Sequence, residues 1–243
     1  RDFCLSRGLG DVYKRQLTKR GWPRFRAVLS LPREDVRPFR RRYACTSHRY
    51  SLTQSQFDTL GLSEALLSAI TKMGLVTPTP IQAKAMPAVL KGRDVLGIAQ
   101  TGTGKTAAFA LPVIDAILRK GGRAQPRSCK ALFLAPTREL AVQIAENVKA
   151  YSAGTPIRHM TIFGGVSIRP QIETAARGVD IVIATPGRLL DMIDQKALTL
   201  SDVRHVVLDE ADRMLDMGFV RDVMRIVKML SLIHISEPTR QAE

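Results

Sequence analysis

Two short stretches carry the groups that phosphoryl chemistry needs. Residues 99–106 read AQTGTGKT and residues 206–212 read VVLDEAD. In the first, Gly102 and Gly104 let the backbone pass close to phosphate oxygens, and a helix beginning near Lys105 would aim its unpaired N–H groups at them. Ala99, Gln100, Thr101 and Thr103 complete the cradle, Lys105 can reach the β- and γ-phosphates, and the Thr106 hydroxyl can bind Mg2+. Ala99 stands where such loops usually carry glycine, a change that removes no phosphate donor. In the second stretch, Asp209 follows the apolar run 206–208. Its carboxylate should emerge at a strand end, with Glu210 projecting differently. One carboxylate can hold hydrated Mg2+ while the other polarises attacking water. Taken singly, the first stretch could be a Gly/Thr-rich turn, and the second an exposed helix start that favours acids. Together and in this order they point to a nucleotide-hydrolysis site.

Something must bring the two together. Ser63 is placed to cap a helix whose Leu66, Leu67, Ile70 and Met73 follow helical spacing, with Glu64 in the first turn and Gly74 at its end. A second helix starts at Pro80 and is expected to run to Leu90. Short apolar runs at 95–98, 131–134, 160–163, 181–183 and 206–208 then alternate with helical segments. Such runs predict strands buried on both faces, in a mostly parallel central sheet wrapped by crossover helices. The expected fold is α/β with three layers. Ligands of such sheets bind beyond the carboxyl ends of the strands. Residues 99–106, 136–141, Gly164 with Gly165, 185–188 and 209–212 all fall there.

The chain has 37 Lys and Arg against 22 Asp and Glu, a formal charge of +15. Residues 1–50 hold 14 of those basic residues and only 4 of the acidic ones. The patterned remainder is mildly basic, so nucleic-acid binding has to be argued from motifs rather than from overall charge. Of 3 cysteines, Cys129 sits in an apolar run and is expected in the core; no disulfide framework or metal-ligand spacing can be built. No signal-peptide pattern and no apolar run of membrane-spanning length occurs, so a cytoplasmic location is expected.

The two ends are unusual. SRGLGDVYKRQ at 6–16 and LSLIHISEPTR at 230–240 can be back-translated into DNA strands that are reverse complements of each other. That is the mark of a transposon-type sequencing adapter read on both flanks, so residues 1–16 and 230–243 are expected to be adapter-derived and non-native. Residues 17–51, with the run RPFRRRY, show neither helical nor strand periodicity. They are expected to be disordered or upstream read-through. Residues 52–229 are expected to form one domain.

DEAD at 209–212, the loop at 99–106, PTRELA at 136–141, the pair Gly164–Gly165, TPGR at 185–188 and GLVTPTPIQ at 74–82 resemble the DEAD-box RNA helicases. The wording ATPGRLLD and DEADRMLDMGF is similar to the bacterial RhlE-like group. The resemblance implies a RecA-like P-loop domain that uses ATP and Mg2+ (Thr106 and Asp209, largely through water) and acts as a monomer on RNA. It implies that Gln82 hydrogen-bonds the adenine edge and Phe57 stacks near the ring. It implies that Pro136, Thr137, Arg138, Gly164, Gly165, Thr185, Pro186, Gly187 and Arg188 hold one RNA strand by its backbone, without sequence preference. Lys105, Asp209 and Glu210 would be catalytic and Asp212 would couple to a second domain. That second RecA-like domain, with its arginine fingers, and the family's next motif, a Ser-Ala-Thr, are expected to lie outside this chain. The chain alone should bind ATP and RNA weakly and not unwind. The competing assignments are a DNA translocase of the wider helicase superfamily and a non-catalytic RNA clamp.

Overall fold

The structure is a computed structural model that describes residues 26–31, 56–99 and 102–235. Six strands, β1 (Arg26–Leu31), β2 (Val95–Ile98), β3 (Cys129–Leu134), β4 (His159–Ile162), β5 (Val179–Ala184) and β6 (His205–Asp209), form one sheet in the order β2-β1-β6-β3-β5-β4. Every pairing is parallel. A 3-10 turn (Gln56–Leu60) leads into α1 (Glu64–Lys72) and α2 (Pro80–Leu90). Then follow α3 (Lys105–Lys120), α4 (Arg138–Tyr151), α5 (Arg169–Ala176), α6 (Pro186–Asp194), α7 (Ala211–Asp216) and α8 (Val220–Ile235).

The strands divide the core by their period of two. Ala131, Phe133, Ile181, Ile183 and Val207 join one apolar cluster with residues of α1 to α4. Their neighbours Leu132, Leu134, Val182, Ala184, Val206 and Leu208 join a second with α5 to α8. Successive side chains of a strand point to opposite faces, so continuous apolar runs are what a sheet covered on both sides requires. The three-layer α/β expectation therefore holds. Phe109 and Phe133 meet edge-to-face, ring centroids 5.6 Å apart, where α3 crosses β3.

Three expectations need correction. The stretch 17–51 is not wholly without regular structure, because β1 lies within it. RAVLSL is a short apolar run of the kind a central strand uses, and the neighbouring charged residues obscure it. Ser63 occupies the cap position of α1, yet its hydroxyl caps nothing and has no partner. Its N–H instead donates to Asp115 Oδ1 at 2.8 Å, tying α1 to α3. Met73 follows the last turn of α1 and is exposed, whereas Leu66 and Ile70 are buried. Cys129 is a core residue as expected, its thiol pushed up to about 12, first by burial and then by the negative charge of Asp202.

Candidate nucleotide and nucleic-acid site

Strand register gathers the motifs on one edge. Ile162, Ala184, Leu134, Leu208, Leu29 and Leu96 form one row across all six strands, and each candidate motif begins within three residues beyond it. Gly97 and Asp209 both pair with Ser30 of β1, one on each side. At about 4.8 Å per strand step their backbones lie about 10 Å apart. The phosphate loop leaves β2 two residues after Gly97 and so rises from the same edge as Asp209, two strand positions away.

The loop itself is held from below. Gly104 caps α3 in the left-handed region, with φ 83°. A Cβ there would come within 2.3 Å of Gln82 Nε2, so both backbone and space demand glycine. Gln82 is buried and its amide is used twice: Oε1 accepts from Thr79 N–H at 2.9 Å and Nε2 donates to the Gly104 carbonyl at 3.1 Å. It thus closes a capping box on α2 and pins the phosphate loop. An amide carries two donors and two acceptor lone pairs, so one of each is left over for a base edge. Phe57 is different. It is fully buried in the core beneath α1 to α4 and presents no ring face for a base to stack on. Gln100 and Thr101 lie outside the described residues.

Lys105, the first residue of α3, has a buried ammonium with no hydrogen-bond partner among the described residues. Leaving a buried cation unpaired is costly, and an anion bound on the loop would remove that cost. Asp209, at the end of β6, is 4% exposed, and its Oδ1 accepts from the Glu210 N–H at 3.1 Å. Glu210 adopts φ 49° and ψ 50°, a left-handed conformation that is strained for a residue with a Cβ. Its Oε2 accepts from Arg213 Nη1 at 3.2 Å. Burial, offset in part by backbone hydrogen bonds and reinforced by the charges of Glu210 and Asp216, holds the Asp212 carboxyl above its ordinary range, and its Oδ1 has no partner among the described residues. Among the described residues no three His, Cys, Asp or Glu side chains converge into a metal cage. The donors that do fit Mg2+ are the Thr106 hydroxyl and Asp209, a pair suited to an ion carried by phosphates and water.

The remaining motifs occupy the half of the edge formed by β3, β5 and β4. Thr137 caps α4, its Oγ1 accepting from Leu140 N–H at 3.2 Å, and Pro136 is buried behind it. Arg138 is exposed and lies over the Phe163 ring at 5.0 Å from its centroid. Its Nη1 is 3.7 Å from where a Cβ of Gly165 would be. Gly164 is exposed in the same loop. Thr185 occupies the cap position of α6 without a side-chain capping bond, Pro186 is the first residue of the helix and Gly187 its second. Arg188 Nη1 donates to the Val166 carbonyl at 3.0 Å, and Nε is 3.6 Å from Asp191. Two arginines from different helices thus brace one loop, 163–166. The Phe163 platform and the Gln82 clamp were not foreseen from sequence; an aromatic directly before a glycine pair was the only signal for the first.

The fold and this edge define a RecA-like P-loop domain. The DEAD/DEAH box helicase family model matches residues 79–242. The chain belongs to that family. DEAD-box ATP-dependent RNA helicase 20 of Oryza sativa is 43% identical over 220 residues, covering 86% of this chain and 44% of that protein. RNA helicase CrhR of Synechocystis is 48% identical over 187 residues, covering 77% of this chain and 36% of that protein. The crystal structure of a DEAD box protein from the hyperthermophile Methanococcus jannaschii superposes with a TM-score of 0.65 at 40% identity, covering 71% of this chain and 46% of that one. The chain therefore spans less than half the length of these relatives.

Proposed function

We propose that this chain is the first ATPase domain of an ATP-dependent RNA helicase. The reading rests on the buried Lys105 ammonium, which has no hydrogen-bond partner among the described residues, on a loop that leaves β2 at the sheet edge where Asp209 ends β6. In this reading the N–H groups at the start of α3 and Lys105 hold the triphosphate, and Glu210 orients the attacking water. Mg2+ held at Thr106 and Asp209 supplies charge neutralisation on the transferred phosphate. Gln82 offers its spare donor and acceptor to adenine. Phe57 supports the same region from within the core rather than by stacking.

RNA would lie along the β3, β5 and β4 half, its phosphates met by Arg138, Arg188 and the N-termini of α4 and α6, with Gly164 and Gly165 giving close access. Such contacts position a strand without reading it. Unwinding would require a second domain closing on the same edge, to which Asp212 would couple, so this chain alone would bind ATP and RNA weakly as a monomer. The test is RNA-stimulated ATP turnover of the full-length gene product. Glu210→Gln should abolish turnover while RNA binding is kept. Retention of full cellular function by that variant would instead favour a non-catalytic RNA clamp.

A further inference from the structure

The chemistry uses one edge of the sheet, and the opposite edge carries a charge imbalance that this chemistry leaves unused. Where β3, β5 and β6 begin, beside the last turn of α3, two adjoining grooves of about 240 and 220 Å3 share Ile117, Gly121, Arg123 and Lys130. Leu118, Pro156 and Ile157 give the larger groove an apolar lining. Lys120, Arg123, Arg158 and Arg204 stand exposed around the two. Among the described residues none of these four makes an ion pair.

The other charged groups here are already committed. Lys130 donates to the carbonyls of Gly121 and Gly122 and lies 2.9 Å from Asp180 Oδ1. Asp180 Oδ2 accepts from the Arg158 N–H at 3.0 Å, and Asp202 Oδ2 from the Ser128 hydroxyl at 2.9 Å. Lys130 and Asp180 therefore neutralise each other. Among the described lining residues, four outward cations are left against one carboxylate, Asp202.

We propose that this edge docks an acidic peptide segment of a partner protein, apolar side chains entering the grooves and carboxylates meeting Lys120, Arg123, Arg158 and Arg204. Charge complementarity selects a polyanion. The apolar lining selects a peptide over a nucleic-acid strand, because His205, the one aromatic ring among the lining residues, is buried and offers bases little to stack on. Strand β3 separates this edge from the phosphate loop by about 20 Å at 3.3 Å per residue. Partner and nucleotide can then bind together.

Fluorescence anisotropy with a labelled peptide of repeating Glu-Glu-Leu units, and separately with labelled oligo(U) RNA, decides the matter. The peptide should bind saturably, and the Arg123→Glu/Arg204→Glu variant should weaken it about tenfold or more. A Glu-Glu-Ser repeat should bind several-fold more weakly than the Glu-Glu-Leu probe, and oligo(U) affinity should be unchanged by the substitutions. Should Arg204→Glu disturb the start of β6, Lys120→Glu/Arg158→Glu gives the same readout. The proposal is overturned by absent peptide binding, by binding indifferent to both charge reversals or to the Leu-to-Ser change, or by a reversal that removes oligo(U) binding instead.

Discussion

The two halves of the functional edge are built on opposite principles. Around β2 and β6 the backbone is forced into the left-handed region at Gly102, Gly104 and Glu210, and the Lys105 ammonium and Asp212 Oδ1 are buried without partners. At this edge of β3, β5 and β4 the left-handed backbone is confined to Gly165, and the candidate side chains are engaged internally: Thr137 by its helix, Arg138 by a ring, Arg188 by a carbonyl. The first half holds strain and unmet charge that a ligand can relieve, so binding there is coupled to local energetics. The second half already holds its side chains in internal contacts. A switch needs the former and a grip needs the latter.

That contrast is broken or sharpened by substitution. The largest effect is expected from Lys105→Ala, which should lower Mg-ATP affinity about a hundredfold or more by calorimetry, because it removes a charge-assisted hydrogen bond from a desolvated site. The same change should leave RNA affinity intact and raise the melting temperature of the ligand-free chain, since a buried unpaired cation disappears. Next, Gly104→Ala must both adopt φ 83° and displace Gln82. It should cost about 1 to 3 kcal/mol of stability in denaturant titration and weaken nucleotide binding with it. On the pre-organised half, Arg138→Ala should weaken oligo(U) binding about tenfold and lower its salt slope by about one, with no change in nucleotide affinity. Phe163→Leu should give a smaller loss of the same kind, and Phe163→Tyr should restore it.

The smallest effect concerns pH. Burial, against the lowering pull of backbone hydrogen bonds and with help from the neighbouring carboxylates, raises the Asp212 carboxyl above its ordinary 3.8. The folded chain then binds that proton more tightly than the unfolded one, so the group destabilises progressively as pH rises from 3.8 through the raised value. Asp212→Asn should flatten that part of the stability profile and raise the melting temperature at neutral pH. An unaltered profile would mean that the carboxyl is solvated.

The strands that carry the motifs were legible because a two-sided sheet needs unbroken apolar runs, and glycine and proline mark their ends. The loop and the acidic turn were legible because phosphate chemistry tolerates few residue types. Three features were not. β1 slots between β2 and β6 by pairing with residues far along the chain, which no local pattern reveals. Phe57 has the same local sequence whether it stacks on a base or fills a core, and only its burial decides. Gln82 bonds across 22 positions to Gly104, an interaction set by tertiary packing.

Everything proposed for the nucleotide half requires Lys105 and Asp209 to act on one bound Mg-ATP. A calorimetric double-mutant cycle with Lys105→Ala and Asp209→Ala measures this directly. The expected result is strong non-additivity, the double variant binding little more weakly than Lys105→Ala alone, because one triphosphate connects both groups. Fully additive losses, or unchanged affinity in Lys105→Ala, would contradict it.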